Sequence, residues 1–260
     1  MTDTFFKIIA SSSQGNCAFL KAKDTKILVD AGISPRRIKN ALHEINLTLE
    51  EIDAIFITHE HSDHCKALLT LPDIENLTVF ASETTYETIA YRYEKTQKLR
   101  WKVFSAGQSF TFKNIKVSTC AMPHDASECV AYKFDFNQKS IAFITDLGKP
   151  TISAKELAKS ANVLVLESNY CPVMLQNSNR SAHLKQRISG SHGHLSNADA
   201  ISILSELDPD FVEHIYLGHV SRECNTVEHI KELIQVLPQK LLSKIEVVNP
   251  FEADCAPFAR

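Results

Sequence analysis

Apolar residues along the chain fall into short runs broken by turn-forming residues, and the spacing inside each run predicts its element. "FFKIIAS", "CAFLKA" and "KILVDAG" read as strands, followed by a helix from Pro35 to Ile45 and a further strand at "IDAIFIT". A helical segment over Ser82 to Glu94 precedes strands at "SFTF", "IKVSTCAM", "CVAYKFDF" and "SIAFITD", then a helix over Ser153 to Ser160. In the last third, strand and helix alternate: "NVLVLES", "NADAISILSEL" behind an Asn197 cap, "HIYLGH", "TVEHIKELIQVL" and "KIEVV". Two groups of strands with interspersed helices predict an α/β protein of two sheets faced by helices. No repeat, low-complexity tract or linker divides the chain, so one domain over residues 1–260 is expected.

The ends of the apolar runs carry the chemistry. "AIFIT" runs into His59, "VSTCAMP" into His124, "IAFIT" into Asp146 and "IYLG" into His219. Strand ends at one edge of a sheet converge, so residues far apart in sequence can meet there. Within "THEHSDH", His59 and His61 are two apart, which lets both rings face one ion from a loop, whereas a helix would turn them about 200° from each other. Asp63 and His64 would then reach a second ion, about 3.5–4 Å from the first, the spacing that clamps the oxygens of a reacting phosphate or carbonyl. Five histidines and two aspartates thus predict two divalent cations. The set contains no cysteine, which favours an open catalytic site over a closed structural one. Zinc, manganese and iron all suit these donors.

Composition narrows the setting. A net charge of −3 excludes binding of nucleic acid through a bulk positive field, leaving only a local basic surface. Seven scattered cysteines without any C-x-x-C spacing indicate neither a disulfide framework nor a zinc knuckle. A reducing, cytoplasmic setting is expected, and no apolar stretch is long enough to span a membrane.

The series His59-x-His61-x-Asp63-His64, His124, Asp146 and His219 resembles that of the metallo-β-lactamase fold superfamily, over most of the chain. The resemblance implies a four-layered αββα sandwich. It places one metal on His59, His61 and His124 and a second on Asp63, His64 and His219, with Asp146 bridging. Asp30 in "LVDAG" resembles the family's buried aspartate that braces the ligand loop, although the residues alone also allow an ordinary strand-end turn. "GHLSNADA" and "YLGHVSREC" are similar to paired motifs of ribonuclease Z. The fuller agreement, including "SSSQGN", "PHDA", "TDLG" and "ESN", is with compact bacterial YycJ-like hydrolases, expected to be 5′-to-3′ exonucleases. The chain departs from that pattern at Tyr170, where histidine is expected, and at Cys224, where asparagine is. The 59 residues between His64 and His124 are few for the tRNA-gripping arm of ribonuclease Z, and the 72 between Asp146 and His219 cannot hold the extra domain of ribonuclease J.

Ser168 to Ala198 contains no Asp or Glu but holds Arg180, Lys185 and Arg187, a candidate wall for substrate phosphates; a solvated helix face would read the same way. His194, in a loop leading into a helix, is a candidate proton donor to the leaving oxygen, or else a helix-start histidine bonded to the backbone. Ser221 and Asn225 either contact phosphate or fix their loop. The expected reaction is hydrolysis of a phosphodiester in nucleic acid by a metal-bound hydroxide, with Asp63 orienting the water while holding the second metal. The alternatives are a thioester or small-ester hydrolase of glyoxalase II type, and a metal-binding regulatory module.

Overall fold

In a computed structural model of the protein, residues 4–71, 74–252 and 257–259 are described. Cys255 and the first three residues of the chain lie outside them, and the other six cysteines are free.

The first sheet contains β1 (Thr4–Ser12), β2 (Gly15–Ala22), β3 (Thr25–Val29), β4 (Ala54–Phe56), β5 (Thr78–Ser82) and β6 (Arg100–Phe104). The second contains β7 (Ser109–Phe112), β8 (Ile115–Met122), β9 (Cys129–Phe136), β10 (Lys139–Ile144), β11 (Val163–Glu167), β12 (His214–Gly218) and β13 (Ile245–Val247); β14 (Phe258–Ala259) returns to pair with β1. Both sheets have the same logic. Strands β1 to β3 form an antiparallel meander and β3 to β6 run parallel; β7 to β10 are antiparallel and β10 to β13 parallel. In consequence β1, β3, β4, β8, β10, β11 and β12 all point their carboxyl ends at one edge of the sandwich.

Alternation in the strands sends Phe6, Leu20, Phe56, Tyr132, Phe134, Phe143 and Tyr216 into the space between the sheets, where they form one aromatic-rich core. The other faces are covered by helices. On the first sheet lie α1 (Pro35–His43) and α3 (Glu83–Arg92), which contribute Ile38, Leu42 and Ile89; the short α2 (Ser62–Cys65) sits at the sheet edge. On the second lie α4 (Ile152–Lys159), α7 (Asn197–Leu204) and α8 (Val227–Leu233), contributing Ala154, Ala158, Ile203 and Ile230. The small helices α5 (Pro172–Asn177) and α6 (Ala182–Ser189) pack on each other, and α9 (Gln239–Leu242) precedes β13. The four layers are α, β, β and α. Ser34, Ser82, Thr151, Ser181, Ser196 and Thr226 each accept a backbone N–H in the first turn of a helix, which offsets the unpaired donors there.

The pattern along the chain did not predict β5, β6, α5 or α6, and α7 is capped by Ser196 rather than Asn197. Asn197 is already helical, and its amide turns inward to bond Asn225.

Close approach of backbone fixes the ligand edge. A side chain on Gly32 would place its Cβ 1.5 Å from the carbonyl oxygen of Asp63, so only glycine lets the β3–α1 loop lie against α2. Gly32→Ala is expected to destabilise the fold by about 3 kcal/mol and to release bound metal, whereas Gly107→Ala, in an open turn at φ +85°, should cost about 1 kcal/mol and leave metal content unchanged. Urea unfolding with elemental analysis checks both.

Candidate metal centre

The sequence-predicted ligands gather at the common edge, most of them just past a strand end. Asp30, Asp146 and His219 follow β3, β10 and β12 in left-handed backbone, at φ 59°, 57° and 54°. A non-glycine residue there costs of order 1–2 kcal/mol. The kink swings each side chain off its strand axis and into the crevice between the sheets. His59 and His61 lie in the loop after β4, and Asp63 and His64 occupy the first turn of α2.

The donors gather in overlapping groups. One potential ligand atom from each of His59, His61 and His124 lies within 4.8 Å of the others, and the same holds for Asp63, His64 and His219. Asp146 stands between: Oδ1 is 3.6 Å from Nε2 of both His124 and His219, and Oδ2 is 3.1 Å from Nε2 of His64.

The ring nitrogens facing away from the crevice explain which face it. Nδ1 of His64 lies 2.7 Å from Asp30 Oδ2, Nδ1 of His124 lies 2.9 Å from the Gly193 carbonyl, and Nδ1 of His219 lies 2.8 Å from Glu167 Oε1. Each of these partners only accepts, so Nδ1 carries a proton and Nε2 is the nitrogen left to face the crevice, its lone pair free for a cation once any second proton is displaced. The Nε2 atoms of His59, His124 and His219 and Oδ2 of Asp146 are buried without a hydrogen-bond partner among the described residues. Converging lone pairs without donors are what a divalent cation requires. The all-nitrogen-and-oxygen donor set fits one, and this cluster can bind metal.

Asp30 holds the ligand loop as well as His64, accepting from Thr58 N at 2.8 Å and Thr58 Oγ1 at 3.0 Å. Glu60 ties the same loop to residue 127, accepting from Ser127 N at 2.8 Å. Neither Glu60 nor Glu167 was singled out from the sequence. Glu167 is fully buried at the end of β11, and its Oε1 also lies 2.8 Å from Nδ1 of His194. Its signal was available, since "NVLVL" runs into Glu167 as the other strands run into their ligands.

His194 is therefore not a free loop histidine. It shares Glu167 with His219, and its Nδ1 is 3.4 Å from Asp146 Oδ1, so its ring is held by the carboxylates of the site. The cationic segment also differs from expectation. Arg180 Nε pairs with Glu223 at 3.0 Å, Lys185 donates to the Gln176 carbonyl at 2.6 Å, and Arg187 pairs with Asp125. The opposing acids come from outside the acid-free stretch. Only Arg187 borders the ligands, because Asp125 Oδ1 lies 3.3 Å from His124 Nε2. Ser221 and Asn225 are buried supports: Ser221 Oγ accepts from Cys224 N, and the Asn225 amide donates to the carbonyls of Ser168 and Asn169. Both residues therefore fix their loop.

Charge coupling sets the protonation of the metal-free centre. Burial alone would lower the His219 pKa, but Asp146, then Asp63 and Glu167, overcome it and raise it to about 10. Burial likewise opposes the charge of His64, which Asp30, Asp146 and Asp63 raise well above the ordinary histidine value. Asp63 is held well below the usual carboxylate range, against its burial, by His64 and His219. For His59, burial and the neighbouring His64 both act downward.

These features define a hydrolase of the metallo-β-lactamase fold, and the chain belongs to the beta-lactamase superfamily, whose domain model matches residues 25–220. Within it, the chain is 34% identical to exodeoxyribonuclease YycJ of Bacillus anthracis, across 90% of this chain and 89% of that one. It is 32% identical to exodeoxyribonuclease WalJ of Streptococcus pneumoniae, across 93% and 89%. The fold is that of the metallo-beta-lactamase fold protein YhfI from Bacillus subtilis, with a TM-score of 0.75 and 14% identity over 99% of both chains.

Because His64 and His219 hold protons in the metal-free protein at neutral pH, a cation must displace them. Metal uptake is expected to release protons, and apparent affinity to fall as pH drops from 8 to 6. Calorimetry in buffers of different ionisation enthalpy measures that release; none would overturn the reading. Glu167→Gln should weaken metal binding by roughly 10–100-fold, read by chelator competition.

Proposed function

We propose that the protein is a dinuclear metal-dependent phosphodiesterase acting on nucleic acid, as a 5′-to-3′ exonuclease of DNA in the cytoplasm. The reading rests on the two donor groups bridged by Asp146, with Glu167 and His194 beside them. The similarity to exodeoxyribonucleases over nearly the whole chain supports DNA as the substrate. His59, His61 and His124 would hold one ion, Asp63, His64 and His219 the other, and Asp146 both; zinc suits the histidine-rich set, with manganese or iron as substitutes.

When bound, the cations supply positive charge against the phosphate oxygens and acidify a water. The chain does the rest. Asp63, kept ionised, orients that water and accepts from it. Glu167, buried and ionised, its pKa lowered to about 2 against its burial by His194 and His219, aims His194 into the crevice. The same carboxylate raises the His194 pKa, against burial, so that the imidazolium is available to protonate the departing oxygen. Arg187, half exposed at the mouth, exchanges Asp125 for the phosphate beyond the scissile bond.

His194→Ala is expected to lower turnover on an oligonucleotide by roughly 10²–10⁴-fold while an activated nitrophenyl diester loses far less, since its leaving group needs no proton. Equal losses would remove His194 from proton transfer. Arg187→Ala should raise KM for the oligonucleotide about tenfold, and Arg180→Ala and Lys185→Ala should change it little. The deciding assay compares end-labelled single-stranded DNA, bis-p-nitrophenyl phosphate and a thioester on protein loaded with two equivalents of metal. Mononucleotides released from the 5′ end are expected; turnover of the thioester alone would transfer the protein to the small-ester hydrolases.

A further inference from the structure

A second acid-free stretch of the chain precedes the ligand His124. The 30 residues from Lys95 to His124 contain no Asp or Glu and six Lys or Arg. Lys113 pairs with Asp53 at 2.5 Å. Lys95, Lys98, Arg100 and Lys102 are exposed, and among the described residues none of them has a carboxylate within ion-pair distance. This is the reverse of Arg180 and Arg187, each of which has its acid.

Arg100 and Lys102 lie on the strand at an open end of the sandwich, and Lys98 stands just before it. Strand β6 is the last of its sheet and β7 the last of the other, and among the described residues no strand covers either. Alternation along β6 turns Arg100, Lys102 and Phe104 toward the gap between the sheets, where Phe104 joins the core. The gap is a cavity of about 360 Å³ whose floor is Phe80, Phe104 and Phe110 and whose lips are Lys102, Gln108 and Thr111. Phe110 stacks on Phe80 with centroids 5.5 Å apart, Phe104 lies 5.4 Å from Phe110, and Lys102 Nζ stands 5.8 Å over the Phe80 ring. The size is within the ~300–1,000 Å³ of small-ligand sites.

Guarding an edge strand against pairing with another chain explains charge on β6, but a guard works with either sign and needs no pocket. An aromatic floor beside unpaired cations answers a different requirement: a flat base on the rings and phosphates along the lysines. We propose that the β6–β7 cleft is a second binding site for single-stranded nucleic acid, which takes one base against Phe110 and the adjoining phosphates on Lys98, Arg100 and Lys102. It rests on the nuclease reading, and it adds a hold on the strand away from the reacting phosphate. A protein of net charge −3 can then retain a polyanion through one local surface.

The test measures binding of a fluorescent, phosphorothioate single-stranded 20-mer to the metal-loaded protein across a salt series, beside cleavage of the unmodified 20-mer and a 4-mer. Lys98→Gln, Arg100→Gln and Lys102→Gln combined should weaken 20-mer binding about tenfold and reduce the slope of log affinity against log salt by about 2. Cleavage of the 4-mer should hold. A charge-matched variant, Lys23→Gln, Lys39→Gln and Lys231→Gln, should bind as the parent does. Equal binding by both triple variants, with the 20-mer still cleaved, would overturn the cleft and leave the nuclease standing. Reduced binding of an acidic peptide without any change for the 20-mer would also overturn it, assigning the cleft to a protein partner. Absence of cleavage of either oligonucleotide by the parent would instead remove the nuclease reading on which the cleft rests.

Discussion

Bare imidazole nitrogens buried side by side are the feature to which the rest of the structure answers. Each buried polar atom left without a partner costs about 1–3 kcal/mol, and His59, His124, His219 and Asp146 each present one. Three left-handed residues add to that cost. Against a typical net stability of about 5–15 kcal/mol, such a cluster survives only in a frame that leaves the side chains no alternative. The frame has three aromatic and aliphatic cores, one between the sheets and one under each helical layer. Cations among the donors would offset the deficit, so metal binding and stability are linked.

The outer shell explains why the frame must be stiff. Glu167 bonds His219 and His194 through the same oxygen, while its other oxygen accepts from Leu147 N at 3.0 Å and Leu195 N at 3.2 Å. One carboxylate therefore sets two imidazole orientations and pins the loops after β10 and before α7. Asp30 does the same for His64, Thr58 and the loop after β4. Moving either strand end would misplace groups on two elements at once.

Much of this was legible along the chain because ligands sit at the ends of apolar runs, and the two-sheet architecture followed from the strand groups. Glu167 obeyed the same rule as His59 and Asp146, but as a lone carboxylate outside the histidine motif it did not stand out. β5 is short and fully buried, and β6 mixes cations with apolar residues, so neither showed a clean period of two. The partners of Arg180 and Arg187 were beyond reach for another reason. Glu223 and Asp125 belong to other loops, and only the fold brings them across.

That pairing bears on how a slightly acidic protein handles a polyanion. At physiological ionic strength the Debye length is about 8 Å, so the total charge is screened and what a strand meets is the surface it touches. At the mouth Arg187 is held by Asp125, and the centre itself carries Asp63, Asp146 and Glu167. In the metal-free protein those carboxylates are paired with protonated His64 and His219, which leaves little positive charge to draw phosphate in. Attraction there depends on the metals, whereas the unpaired lysines of the β6 edge attract at all times. Metal loading therefore controls cleavage and local capture together, while the hold on the strand at the far edge, built on the other sheet boundary, is independent of it.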